Sequence, residues 1–131
     1  MKKQFPNLLF FLSIVSLLCF SATCNNTSIP QSSPKITFDL NQIGEDGLGT
    51  QPGSKVAIGY EYCIPADDKY VAIIQKIDPK LKIMKNSKGR IGCTKSQWLC
   101  MGNTHQKGWR KVLLKLADQE FIDQIDRTFF E

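Results

Sequence analysis

Two cysteines, the single histidine and one of two tryptophans fall within GRIGCTKSQWLCMGNTH, residues 89–105. Cys93 and Cys100 are close in sequence, and His105 follows Cys100 within one loop's reach, so a thiol and a base for it lie together. Nucleophilic thiol catalysis needs that combination. Neither the strand-to-helix nucleophile setting nor the glycine-rich oxyanion turn of the common hydrolases accompanies it, however. Local hydrogen bonding by His105 beside Thr104 at a helix start is therefore the better account of the histidine. Cys93, Cys100, Met101, His105 and Met84 also form a soft-ligand set of the kind that holds copper(I) or zinc. No paired CxxC or HxxxH spacing supports it, and disulfide formation would remove the thiolates. The carboxylates Asp67 with Asp68, Glu45 with Asp46, and Glu120 with Asp123 and Asp126 read as capping and solvated charge, because adjacent acids on a helix point in different directions. No catalytic residue, no metal and no cofactor is therefore expected.

The compartment sets the chemistry of these cysteines. Lys2 and Lys3 precede an apolar run from Leu8 to Phe20, followed by Ser21, Ala22 and Thr23. A short basic start, an apolar core and a small-residue end predict a secretory signal peptide over 1–23, too short to be a spanning helix. Cleavage after Ser21 would release a chain starting near Ala22. The competing ending makes Cys24 a lipid-bearing first residue, although Ser21 and Thr23 stand where a bacterial lipoprotein signal normally has an aliphatic and a very small residue. Export favours bridges over free thiols, so Cys63, Cys93 and Cys100 are disulfide candidates. Cys63 with Cys93 and Cys93 with Cys100 are both open, since spacing does not determine connectivity.

The formal net charge is +5, and the signal peptide accounts for Lys2 and Lys3 of it. The mildly basic remainder is dispersed and exported, which argues against nucleic acid. One run stands out: Lys76, Lys80, Lys82, Lys85, Lys88, Arg90 and Lys95 against the single acid Asp78. Such lysines guard an exposed strand edge against pairing. They also suit docking of an anionic lipid headgroup, cell-wall polymer or acidic protein. The candidate binding residues are accordingly Lys82, Lys85, Lys88, Arg90, Trp98 and His105.

The elements that position these residues follow from periodicity. Residues 25–35 are polar with two prolines, a tether with nothing to bury. Ile36, Phe38, Leu40 and Ile43 could pack as an ordered arm before a glycine-rich loop. From Lys55, Val56, Ile58, Tyr60, Tyr62 and Ile64 alternate with smaller or polar residues, predicting a strand that Pro65 ends. Tyr70, Ile73, Ile74 and Ile77 predict a helix over 66–77, with Asp67 and Asp68 in its first turn and Asp78-Pro79 as its stop. KLKIMK reads as an edge strand and NSKG as a turn. A second strand lies within Arg90–Met101, paired through either Arg90–Cys93 or Gln97–Met101. Thr104 is the expected N-cap of a helix reaching Ala117, with Trp109, Val112, Leu113 and Leu116 on one face. FIDQIDRTFFE closes the chain as a strand.

The order βαββαβ predicts an α+β, ferredoxin-like split βαβ fold, an antiparallel sheet ordered 4-1-3-2 with both helices on one face. The divisions are a signal peptide over 1–23, a flexible tether and irregular arm over 24–54, and a small α+β domain over 55–131. The functional expectation is an exported cell-envelope or secreted binding domain without catalysis, whose partner is an envelope or extracellular molecule of anionic character. Membrane attachment would come only through lipid on Cys24. The alternative is a thiol- or metal-dependent protein using Cys93, Cys100 and His105.

Overall fold

The computed structural model describes residues 32–129. The expected signal peptide, Cys24 and the tether before residue 32 lie outside the described residues.

Order begins earlier than the alternation from Lys55 suggests. A short 3-10 turn, Leu40–Gln42, starts at Asp39, whose carboxylate accepts the Asn41 N–H. Strands β1 (Leu48–Gln51) and β2 (Ser54–Ala57) then form an antiparallel hairpin. Between them, Pro52 presets φ and Gly53 takes φ 82°, the residue pair a type II turn favours. Ile36, Leu40 and Ile43 are buried in the same core as the main sheet. The arm is thus part of the packed body.

The strand expected from Lys55 to Ile64 is two strands. After β2 the chain changes partners at Ile58 and continues as β3 (Gly59–Pro65) in a second sheet. Ile58, Tyr60, Tyr62 and Ile64 all join the hydrophobic core, so the apolar period of two runs through the change, although Gly59 and Glu61 between them are buried as well. Periodicity reports which face is buried and says nothing of which neighbour is paired.

Helix α1 (Asp68–Ile77) is capped by Asp67, whose side chain accepts the Lys69 N–H. Pro79 disfavours helical geometry at the residue before it, and Asp78 leaves the helix at φ −129°, ψ 88°. Next come β4 (Lys82–Met84) and β5 (Gln97–Asn103), separated by a long loop where a tight NSKG turn was expected. Of the two pairings considered for the second strand, the one through Gln97 is present.

Helix α2 (Trp109–Ala117) starts later than its sequence suggests, with Gly108 at φ 69° as N-cap. Thr104 is not the cap. It is fully buried, its hydroxyl accepting the Ile58 N–H and donating to the Gly47 carbonyl, while its own N–H donates to the Ile58 carbonyl. A long-range bond between buried groups outcompetes a local cap that water could replace. The closing strand β6 is only Ile125–Thr128. Its apolar lead-in packs as a turn instead: Ile122 is buried and the Phe121 ring lies 4.6 Å from that of Tyr70.

The main sheet has the order β4-β5-β3-β6, every pair antiparallel. Paired residues share a face, so the register puts Tyr60, Tyr62, Ile64, Cys100 and Ile125 together. Ile74 of α1 and Trp109, Leu113 and Leu116 of α2 join them in one core, so both helices cover that face. Each fully buried Leu or Ile there contributes about 1.5–3 kcal/mol. The fold is α+β, with two helices and two antiparallel sheets among the described residues.

Candidate binding face

Among the described residues the other face of the sheet carries no helix. The register assigns it Gly59, Glu61 and Cys63 from β3, Leu99, Met101 and Asn103 from β5, Lys82 and Met84 from β4, and Asp126 and Thr128 from β6. Part of it is roofed by the loop at 85–96. Two attachments hold that roof down. Cys63 is disulfide-bonded to Cys93, with the Cα atoms 5.5 Å apart. The Glu61 carboxylate, only 2% exposed, accepts the Ile91 N–H at 2.8 Å. A buried carboxylate costs several kcal/mol unless it is hydrogen-bonded, so this bond holds Glu61 as much as the loop. Gly89, at φ 62°, permits the approach, since a Cβ there would lie 2.8 Å from the second Glu61 oxygen and 2.7 Å from Leu99.

Beyond the roof the face stays open. A groove of about 1110 Å³ runs past Lys80, Lys82, Met84, Met101, Asn103 and His105, floored in part by Gly59 and Gly102. A smaller hollow of about 380 Å³ continues it toward Glu61, Lys88 and Arg90, with Met84 and Met101 shared between the two. Lysines 80 and 82 and the histidine rim the larger groove, and among the described residues no carboxylate lines it. At its far end the His105 Nδ1 lies 3.2 Å from the Asp46 carbonyl. A carbonyl only accepts, so Nδ1 is the donor and Nε2 of the neutral ring keeps its lone pair.

The six candidate binding residues are divided by the sheet. Lys82, Lys88, Arg90 and His105 line the helix-free face. Trp98 belongs to the helix-covered face, with its register partner Ile64. Lys85 goes with it, its Nζ 3.8 Å above the indole and 3.3 Å from Asp68 Oδ1 of α1. Both groups of that ion pair are well exposed, so the stacking on Trp98 is the better-defined contact. Lys80 joins the groove although it was not singled out in the sequence. Only its place in the lysine run could have pointed to it.

The soft-ligand and thiol sets are divided as well. Cys93 is in the bridge, and Cys100 is fully buried on the helix-covered face, where burial pushes its thiol up to about 12. Met84, Met101 and His105 remain in the groove. Among the described residues no group of three or more His, Cys, Asp or Glu side chains is arranged to hold a metal ion.

Under the helices lies a polar cluster that periodicity does not reveal. Tyr60 donates to the fully buried Asp78 at 2.6 Å, and Gln106 Nε2 reaches both, at 3.3 Å and 3.4 Å. Burial first, and then the hydrogen bond to Asp78, hold the Tyr60 hydroxyl protonated well above its ordinary range. Gln106 Nε2 also donates to the Asn103 carbonyl and Asp78 accepts the Lys80 N–H, so the group fixes the end of α1 to the sheet.

No family model, curated protein or solved structure matches this chain.

Proposed function

We propose that this chain is an exported, non-enzymatic binding domain on a ferredoxin-like split βαβ scaffold, and that it takes an anionic envelope or extracellular partner on its helix-free sheet face. The observation that carries this is the open groove rimmed by Lys80, Lys82 and His105 and lined by no carboxylate among the described residues. The ammonium groups of Lys80 and Lys82 beside the apolar Met84 and Met101 raise the local concentration of anions and speed their encounter. The scaffold assignment rests on the strand order and on the single face that both helices cover. Export is supported by the bridged Cys63 and Cys93, which suit an oxidising compartment, together with the apolar N-terminal run. No helix among the described residues is long and apolar enough to cross a membrane. Lipid on Cys24 is the proposed means of any membrane attachment. The thiol- or metal-dependent alternative is weakened because Cys93 is bridged and Cys100 is buried on the opposite face.

The test is binding of the mature chain to poly-L-glutamate and to phosphatidylglycerol vesicles. Binding to at least one should fall steeply with added salt, because screening shortens electrostatic reach to about 8 Å at physiological ionic strength. The triple variant Lys80→Glu, Lys82→Glu, Lys88→Glu should lose it. Lys85→Glu should not, because Lys85 lies on the other face. Binding that survives the triple variant, or is absent from both probes, overturns the proposal.

A further inference from the structure

Strand β4 is the edge of the main sheet, and among the described residues nothing pairs with its outer side. The opposite edge is treated differently: Ile36 bridges Ile125 in parallel, Thr37 N–H donates to the Ile125 carbonyl, and the Ile125 N–H donates to the Lys35 carbonyl. One edge is thus covered by the chain's own arm, while among the described residues no strand pairs with the outer side of Lys82–Met84, where the Met84 carbonyl alone is engaged, accepting the Ser87 N–H at 3.5 Å. Lysine on such an edge normally prevents pairing, because a strand meeting Lys82 must leave the ammonium without a counter-charge. The same lysine favours one class of strand, an acidic one. Opposite charges directly across a strand pair attract and like charges repel, so Lys82 works as a filter on which strand is accepted.

From this we infer that β4 receives an extended acidic peptide segment of the partner, added as the next strand of the sheet. The inference rests on the helix-free face being anion-binding, and it specifies how the anion is held. The register dictates the pattern. By register Lys82 and Met84 lie on the helix-free face and the half-buried Ile83 on the helix side, although Ile83 also contributes to the lining of the groove. A docked strand therefore places alternate residues beside Lys82, with Lys80 further along the groove, and these should be Asp or Glu. The residues between them lie beside Ile83 and should be apolar. Main-chain hydrogen bonds hold the segment, and the alternating side chains select it.

The probe is an acetylated, amidated hexapeptide of alternating glutamate and valine, titrated into the full mature chain. Binding should slow amide hydrogen exchange on β4. N-methylating one alternate set of peptide residues should weaken binding about tenfold or more, through loss of backbone hydrogen bonds and the added bulk, whereas methylating the other set should change little. A block isomer, glutamates first and valines last, should bind more weakly, and Lys82→Glu should abolish binding of the alternating peptide. If both N-methylated peptides bind as well as the parent, strand addition is wrong even though charge attraction stands. If phosphatidylglycerol vesicles bind and the peptide does not, the partner is a membrane and the inference falls. If no anionic probe binds, the functional proposal fails with it.

Discussion

Thr104 is where the arm and the main domain are joined, and its removal gives a sharp test of how the fold is held. The residue is fully buried; its hydroxyl accepts the Ile58 N–H at 3.0 Å and donates to the Gly47 carbonyl. Thr104→Val keeps the shape and strands both partners, each of which is in a buried residue. A buried polar group left without a partner costs about 1–3 kcal/mol, so the pair should cost about 3 kcal/mol after some relaxation of the hairpin toward water. Thr104→Ser keeps both hydrogen bonds and deletes one methyl group, a loss of about 1 kcal/mol. Urea unfolding followed by tryptophan fluorescence is the assay. Trp109 is a suitable reporter because its indole N–H donates to the Gly44 carbonyl across the same joint. The valine variant should lie about 2 kcal/mol below the serine variant, with the midpoint shifted and the slope unchanged if unfolding remains two-state. A valine variant as stable as the serine one, or more so, would refute the account. Ordinary helix capping would cost about 1 kcal/mol and would not require Gly47 or Ile58 at all.

Two further predictions concern the cysteines. Replacing Cys63 and Cys93 together by serine should remove about 3–4 kcal/mol, the chain-entropy value for a bridge across 30 residues, and should unmask Leu99 by freeing the roof loop. Unchanged stability, or unchanged dye binding to exposed apolar surface, would contradict the role given to that bridge. Cys100 should resist iodoacetamide in the native state and react on unfolding. Its thiol is pushed up to about 12 from an ordinary value near 9, so the folded form keeps its proton where the unfolded chain loses it. Its contribution to stability is therefore full below about pH 9 and is lost as pH rises toward about 12, at no more than about 1.4 kcal/mol per pH unit. Cys100→Val should flatten that part of the alkaline slope in denaturation curves, and a slope identical to that of the parent would rule the thiol out.

Some of this architecture is legible in the residues alone. The alternation through Ile58, Tyr60, Tyr62 and Ile64 marks a buried strand face, and the stop at Asp78-Pro79 marks the end of α1. Both are local, set by backbone sterics and by the side-chain period of two. The faces of the helices are less evenly legible. Trp109, Leu113 and Leu116 are buried as their spacing requires, but on α1 only Ile74 is, and Ile73 is 40% exposed. Spacing gives the direction of an apolar stripe, while the depth of burial depends on how closely α1 sits to its neighbours.

The candidate site is legible only in part, because its residues are assembled across strands. Lys82, Lys85 and Lys88 look equivalent in the run, yet a strand turns alternate side chains to opposite faces and the loop carries Lys85 to the Trp98 side. Glu61 looks like a polar residue on the open side of a strand until the loop at 85–96 folds over it. Thr104 looks like a helix cap because that motif is local, while its true partners, Gly47 and Ile58, are 57 and 46 residues away.

What the amino-acid sequence determined by itself is what depends on near neighbours: the α+β class, the centres of the elements, the basic character of the β4 region and the restriction of bridging to a few cysteines. The tertiary structure decided the rest. It chose Cys63 with Cys93 over Cys93 with Cys100, because antiparallel pairing of β3 and β5 puts Cys63 opposite Leu99 on the helix-free face while Cys100 points to the core. It drew the arm into the body and folded the loop at 85–96 over part of the sheet face that the expected βαββαβ order leaves without helices. Those outcomes depend on which surfaces meet after the chain has closed on itself, and contacts between residues far apart in the chain leave no periodicity to read.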